Sequence, residues 1–272
     1  YNNLGDALQK LDRLDEALDS FDRAIALNPD QADSFYNRAI TLKKLNRSEE
    51  ALASYDKAID LNPDDADALY NRGIELFKLN RLEEALASFE RAIALKPDYA
   101  EAFNNRGAVL LWLDRLDEAL VSFERAIALK PDYAEAFNNW GKALQKLNRL
   151  NEALVSFERA IALKPDYADV FCNLGNLLEK LNRPSEALAS YDKVITLKPD
   201  YPEAFNNRGT VLFEFNRLEE ALASYDKAIV LKPDYAEAFN NRGNVLLGLN
   251  RLEEALASYD RAIALNPYYA ET

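Results

Sequence analysis

The chain has 272 residues, of which 49% are hydrophobic and 29% are charged, and its net charge at pH 7 is −13. It contains no histidine and a single cysteine, Cys172. This composition excludes serine–histidine and cysteine–histidine catalysis, histidine-ligated metals, cysteine zinc sites and disulfides within the chain. The negative charge also argues against nucleic acid as a partner, because binding phosphates requires a basic surface.

The sequence shows no sign of membrane insertion or export. No apolar run approaches the length of a membrane span, and Tyr1 to Lys10 lack the basic start and apolar stretch of a signal peptide. We therefore expect a cytoplasmic protein without a membrane partner. The chain holds no methionine, so we expect it to be part of a longer protein, although a mature end or engineering would give the same pattern.

A period of 34 residues runs through the chain, and 272 is eight times 34. Eight prolines share the period: Pro29, Pro63, Pro97, Pro131, Pro165, Pro199, Pro233 and Pro267. Such a period predicts one repeat array over 1–272 rather than separate globular domains. The repeats are 1–34, 35–68, 69–102, 103–136, 137–170, 171–204, 205–238 and 239–272.

Each period predicts a first helix, helix A. In the unit over residues 98–131, Asp98 and Glu101 have the spacing of a capping box, which places the helix start at Asp98 and its end near Leu113. Phe103, Gly107 and Leu110 form one stripe at helical spacing. A glycine recurs at the Gly107 position in seven repeats, and because glycine costs about 1 kcal/mol in a helix interior, it implies close packing there.

A turn and a second helix, helix B, complete the unit. Asp114 occupies the turn, and other repeats have asparagine there, which tolerates the left-handed conformation that ends a helix. Helix B is predicted from about Asp117 to Leu129, and Pro131 stops it. Eight such units predict sixteen helices and no strand.

The unit of 34 residues, with Gly107, Ala119, Phe123, Ala126 and Pro131 in order, resembles the tetratricopeptide repeat (TPR) over the whole chain. The resemblance implies an all-α fold, a right-handed superhelical α–α solenoid with helix A lining the concave face. The sequence departs from the family at four places. Phe103 stands where tryptophan is common, Leu110 where tyrosine is common and Arg106 where leucine is usual, and asparagine or aspartate replaces the usual glycine of the turn.

One column of helix A is asparagine in all eight repeats: Asn3, Asn37, Asn71, Asn105, Asn139, Asn173, Asn207 and Asn241. Asparagine is a mediocre helix former, and mid-helix it cannot act as a cap. The column resembles the asparagine ladder of the O-linked N-acetylglucosamine transferase, which implies that it binds the backbone of an extended peptide. Two alternatives stay open: recent duplication copied the residue, or the side chains bond between adjacent helices.

Apolar residues near the column form a second candidate site. Phe77, Trp112 and Phe213 occupy positions that are polar in other repeats, so we expect them to anchor a partner side chain. The alternatives are that they cover a neighbouring helix or contact another copy of the chain. Beside the column, Tyr36 and Tyr70 are expected to add apolar contact.

Two charged columns accompany helix A. An acidic one contains Asp67, Glu101 and Glu135, and it fits either helix capping or attraction of a basic partner. A basic one has arginine in five repeats, for which helix B supplies candidate acids. The arginines are Arg38, Arg72, Arg106, Arg208 and Arg242, and the candidate acids are Asp56, Glu90, Glu124, Asp226 and Asp260.

These patterns predict a protein-interaction scaffold that binds an extended peptide in a groove, with no cofactor, no metal and no catalytic site. Two other functions stay open. One is end-to-end self-association, because the chain begins within a helix A at Tyr1 and ends at Tyr269–Thr272, the predicted opening of a ninth helix A. The other is a targeting array for a catalytic domain outside this chain.

Overall fold

A computed structural model gives the fold and describes residues 1–268. The A helices are α1 (Asn2–Lys10), α3 (Ala32–Lys44), α5 (Ala66–Lys78), α7 (Ala100–Trp112), α9 (Ala134–Lys146), α11 (Ala168–Lys180), α13 (Pro202–Glu214) and α15 (Ala236–Gly248). The B helices are α2 (Leu14–Leu27), α4 (Ser48–Leu61), α6 (Leu82–Leu95), α8 (Leu116–Leu129), α10 (Leu150–Leu163), α12 (Pro184–Leu197), α14 (Leu218–Leu231) and α16 (Leu252–Leu265). Residues 1–268 contain no strand, so the all-α prediction is confirmed. The predicted ninth helix A, at Tyr269–Thr272, lies outside the described residues.

The chain forms two compact units, Tyr1–Ala143 and Leu144–Thr272, whose boundary lies inside α9. In the first unit, from α1 to α8, each helix packs against the next helix in the chain. The same holds in the second unit from α10 to α16. Each repeat therefore contributes a helix pair to a stack, as expected of a quasi-one-dimensional fold. The organisation of 1–272 as a single array stays a prediction.

The turn between helix A and helix B has the predicted left-handed residue. Asp114 has a φ of 58°, and the backbone N–H of Arg115 donates to the carbonyl of Leu110 over 2.9 Å. The other repeats place the same conformation at Asp12, Asn46, Asn80, Asn148, Asn182, Asn216 and Asn250. Short polar side chains tolerate this conformation, which is why every one of these turns has either aspartate or asparagine at this position.

The predicted capping box at Asp98 is wrong. Helix α7 begins at Ala100, its N-cap residue is Tyr99, and no side chain caps it. The Tyr99 ring instead lies 4.3 Å from the Lys96 ammonium and 4.7 Å from the Tyr70 ring. Because the helix begins at Ala100, Asp98 lies one position before the N-cap residue Tyr99. In α5, where Asp65 replaces the tyrosine at the N-cap, the Asp65 carboxylate accepts from two backbone N–H groups.

The recurrent glycine lets a buried ring cross helix A. A Cβ atom built on Gly107 would lie 2.6 Å from Cε1 of Phe123, which is fully buried in α8. A real Cβ cannot approach so closely, so the absence of a side chain at Gly107 makes room for the ring. The packing role predicted for this glycine is therefore confirmed.

Tyr55 holds the same ring position in α4, but its buried hydroxyl has no hydrogen-bond partner among the described residues. Burial raises its pKa far above the ordinary value for tyrosine. The hydroxyl of its counterpart Tyr191 lies 2.7 Å from Oδ1 of Asn176 and 2.5 Å from Oε1 of Glu179, so its single proton has an acceptor. The difference arises because Ile40 stands where Asn176 does, and it offers no oxygen.

Replacing Tyr55 by phenylalanine should therefore leave stability unchanged or raise it by about 1 kcal/mol, because it removes an unpaired buried hydroxyl. The matched change Tyr191→Phe should cost about 1–3 kcal/mol, because it removes a hydrogen-bonded hydroxyl and leaves a half-buried acceptor unpaired. Urea unfolding midpoints of the two variants measure the difference. A loss at Tyr55 as large as the loss at Tyr191 would show that the Tyr55 hydroxyl has a partner.

Candidate functional site

The asparagine column lies on the A helices, with one residue per repeat. Asn3 is exposed and the other seven are half-buried. The first unit carries Asn3, Asn37, Asn71, Asn105 and Asn139, and the second carries Asn173, Asn207 and Asn241. We call this column the asparagine face and describe it in each unit by itself.

In most repeats the carboxamide nitrogen bonds to the preceding A helix. Nδ2 of Asn105 donates to the Tyr70 hydroxyl over 3.1 Å, and Nδ2 of Asn71 donates to the Tyr36 hydroxyl over 3.2 Å. Where asparagine replaces the tyrosine, its Oδ1 accepts instead, as in Asn139 to Asn104 over 3.1 Å. The second unit repeats this bond from Asn241 to Asn206 over 3.2 Å. The column therefore joins neighbouring repeats, as the second alternative anticipated.

Cys172 explains one departure from this arrangement. It occupies the position of Tyr70 and Asn104 but has no oxygen, and Asn207 donates instead to Asn176 Oδ1 over 2.9 Å. Burial raises the pKa of the Cys172 thiol to about 11, so the thiol is protonated at neutral pH and is not a nucleophile.

The carboxamide oxygens divide into two groups. Oδ1 of Asn71 accepts from the Lys43 ammonium over 3.1 Å, and Oδ1 of Asn105 accepts from Asn104 over 3.3 Å. Burial lowers the pKa of Lys43, partly offset by Glu75 nearby. The Oδ1 atoms of Asn37, Asn139 and Asn241 accept no hydrogen bond from the described residues. Each nitrogen described above thus donates at least one of its two N–H groups within the protein, while several oxygens keep acceptor capacity.

The acidic column pairs with neighbouring residues instead of capping helices. Glu101 accepts from the Lys130 ammonium over 3.0 Å, and this bond lowers the pKa of the Glu101 carboxyl. Glu135 accepts from Asn104 Nδ2 over 3.1 Å. Lys130 also lies 4.8 Å from the Tyr133 ring. Because a lysine balances part of this negative charge, the acidic column offers limited support for the prediction of a basic partner.

The arginine column joins successive B helices. Nη1 of Arg106 donates to Ser122 on its own B helix over 2.7 Å, and Nη2 donates to Glu90 on the preceding B helix over 3.2 Å. Of the candidate acids, Asp56, Glu90 and Asp226 bind an arginine of this column, and it belongs to the next repeat. Among the described residues, Glu124 and Asp260 bind none of these arginines. The column is structural, and serine is a partner that the sequence reasoning missed.

The three predicted aromatic anchors differ in exposure. Trp112 is 70% exposed on the last turn of α7, seven residues and so two helical turns beyond Asn105. Phe213 is 39% exposed in the second unit, and Phe77 is half-buried on α5. Of the predicted anchors in the first unit, Trp112 is thus the more exposed, and it lies on the same face of α7 as Asn105. Tyr36 and Tyr70 were expected to add apolar contact, but their hydroxyls accept hydrogen bonds from the asparagine column. The sequence signal for this role was that tyrosine and asparagine, which both carry a side-chain oxygen, share their column.

The last described repeat exposes apolar side chains. Leu256 on α16 is 58% exposed, whereas its counterpart Leu222 on α14 is buried against Val245 and Leu246 of the following repeat. This matches the sequence argument for end-to-end association, which stays a prediction.

Within residues 1–268, no group of three or more cysteine, aspartate or glutamate side chains is arranged to hold a metal ion. In the same range, every helix is too short or too polar to cross a membrane.

Comparison with family models identifies the repeat. Models described as TPR repeat match residues 75–114, 144–182 and 209–250, and models described as tetratricopeptide repeat match 2–66, 54–87, 100–133, 168–201 and 236–269. The chain belongs to the tetratricopeptide repeat family. Membership of this family supports the interpretation of the chain as a scaffold for protein–protein interaction. No curated protein matches the chain at a significant level.

Solved structures agree with this TPR assignment. YrrB, described as a TPR protein with an unusual peptide-binding site, is 33% identical, covers 68% of this chain and 95% of its own, and has a TM-score of 0.56. MamA from Desulfovibrio magneticus RS-1 is 25% identical over 62% of this chain and 95% of its own, with a TM-score of 0.57. PilF of Pseudomonas aeruginosa, 20% identical over 76% and 97%, shows the fold alone at a TM-score of 0.69.

Proposed function

We propose that this TPR protein binds an extended segment of a partner protein along the asparagine face of its first unit. The observation that supports this most directly is that the carboxamide nitrogen and the carboxamide oxygen differ in their hydrogen bonds within the protein. The nitrogens of Asn37, Asn71, Asn105 and Asn139 are held by the preceding A helix. The oxygens are thereby fixed in orientation before any ligand arrives.

Fixed acceptors suit an extended peptide. A peptide backbone offers an N–H donor at each residue except proline, and an extended segment has no internal partner for it. Side chains that are already ordered lose little entropy on binding, so each hydrogen bond contributes more to affinity. The oxygens of Asn37 and Asn139 accept no other bond from the described residues, and half-burial shields them from bulk water.

Trp112 supplies a contact for a side chain of the bound segment. Exposed tryptophan is enriched among residues that dominate binding energy, and here it lies on the same helix face as Asn105. The 33% identity to YrrB, a protein described as having a peptide-binding site, is consistent with a peptide ligand for this chain. A segment of basic character is the favoured ligand, because the chain carries a net charge of −13 and attracts positive charge.

A peptide display screen against the whole chain tests the proposal, followed by affinity measurements with the triple variant N71A/N105A/N139A. We expect the triple change to weaken selected peptides by about tenfold or more, since each neutral hydrogen bond contributes about 0.5–1.5 kcal/mol. Asn151→Ala is the control, because Asn151 is an exposed asparagine on α10 outside the column. Selected peptides that bind the triple variant and the wild type equally would refute the proposal.

A further inference from the structure

Five repeats share a binding arrangement for a guanidinium group. In one of them, Nε of Arg208 donates to Asp192 on α12 over 2.6 Å, and Nη1 donates to Ser224 on α14 over 2.6 Å. We call the space between the acid on one B helix and the serine on the next an arginine slot. Arg38, Arg72, Arg106 and Arg242 fill the other four.

The sixth repeat keeps the slot and lacks the arginine. Leu174 stands at the arginine position, while Glu158 on α10 and Ser190 on α12 stand where Asp192 and Ser224 do. A cavity of about 240 Å³ opens there, lined by Leu154, Glu158, Leu174, Leu178, Arg183 and Ser190 among others. The space that an arginine side chain occupies in five other repeats is thus open here.

The serine of the vacant slot is set as in the filled ones. Ser190, which is 7% exposed, donates to the Glu186 carbonyl over 2.9 Å, as Ser224 donates to the Glu220 carbonyl over 2.9 Å. Its oxygen therefore keeps the acceptor capacity that Ser224 uses for Arg208.

The cation nearest the slot is already engaged. Arg183 forms two hydrogen bonds of 2.6 Å with Glu186, so its guanidinium does not replace the missing one. Among the described residues, Arg183 forms its ion pair with Glu186 and not with Glu158. Glu158 interacts with the Arg183 guanidinium only through longer-range electrostatic attraction.

We propose that the vacant slot between α10 and α12 binds the guanidinium of an arginine side chain from a partner protein. A planar guanidinium donates to a carboxylate and a hydroxyl at the same time, as Arg106 does to Glu90 and Ser122, whereas an ammonium is a point charge without that fork. The filled slots open to solvent, because their arginine side chains stay 21–24% exposed. The site is separate from the asparagine face and does not depend on peptide binding there.

Backbone NMR titration of the whole chain tests this site with the tripeptide Ac-Gly-Arg-Gly-NH2. We expect saturable shifts of the Ser190 amide and its neighbours, and at least about tenfold weaker binding of the lysine tripeptide, which forms fewer charge-assisted bonds. The Ser224 amide reports the filled slot in the same spectrum and serves as the internal control. Equal shifts at Ser190 and Ser224 would mean unspecific attraction to an acidic protein and would overturn the proposal.

Two variants complete the test. Leu174→Arg should abolish the Ser190 shifts, because an internal guanidinium then fills the slot. Arg208→Leu should create a second vacant slot, so that the Ser224 amide gains saturable shifts. Persistent binding by Leu174→Arg, or no gain in folded Arg208→Leu, would contradict the assignment.

Discussion

Phe123→Ala is expected to destabilise the repeat of α7 and α8 by about 3–5 kcal/mol, the cost typical of emptying a phenylalanine site in a core. Phe123 is fully buried, and its ring lies in the space left by Gly107. Because each repeat contacts only its neighbours, the loss should be concentrated in α7, α8 and the helices next to them.

Native-state hydrogen exchange measures this loss helix by helix, and urea unfolding gives the total. Val121→Ala is the matched control, since Val121 lies two residues away on the same helix and is 63% exposed. It should change stability by less than about 0.5 kcal/mol. Similar losses for the two variants would show that the Phe123 ring is not a core element.

Gly107→Ala is expected to cost about 1–3 kcal/mol, although alanine is normally the better helix former by about 1 kcal/mol. The added Cβ would meet the Phe123 ring at 2.6 Å, so the buried ring would have to shift. Steric overlap therefore outweighs helix propensity. Urea unfolding midpoints of Gly107→Ala and the wild type measure the difference.

The sign of this effect should reverse once the ring is gone. In a Phe123→Ala background, Gly107→Ala should be neutral or stabilising, because only the helix propensity gain remains. A double-mutant cycle with these four proteins gives the coupling energy. A cost for Gly107→Ala that is the same in both backgrounds would mean that the glycine serves something other than the ring.

Features set within one repeat could be predicted from the sequence. The left-handed turn at Asp114 follows from its residue type and its place between two helical stripes. The glycine opposite Phe123 follows from its recurrence at a position where a helix would otherwise favour alanine. Both depend on short-range geometry, which helical periodicity fixes.

Features that depend on the next repeat were predicted poorly. The Asp98 cap failed because α7 begins at Ala100 and its N-cap residue is Tyr99, which packs on Lys96 and on Tyr70 of the preceding A helix. Periodicity gives every column the same spacing, so it cannot tell whether an arginine pairs with its own B helix or with the one before. The position of Glu90 beside Arg106 emerges only from the stacking of two repeats.

The asparagine column shows the same limit within the candidate site. Sequence reasoning found the eight positions and offered both a ligand role and a bond between helices. The structure shows the bond for the carboxamide nitrogens, and the partners alternate between Tyr70-like and Asn104-like acceptors. The role of the oxygens stays a prediction, since it concerns hydrogen bonds to a peptide from another protein.

The most direct test of the proposed function separates the two ends of these carboxamides. Tyr36→Phe with Tyr70→Phe removes the acceptors of Asn71 and Asn105 and leaves the asparagines in place. Asn71→Ala with Asn105→Ala breaks the same two bonds between helices and also removes the carboxamides. Calorimetric titration of one selected peptide with both double variants is the measurement. We expect the asparagine variant to bind several-fold more weakly than the tyrosine variant, and equal affinities would contradict a ligand role for the column.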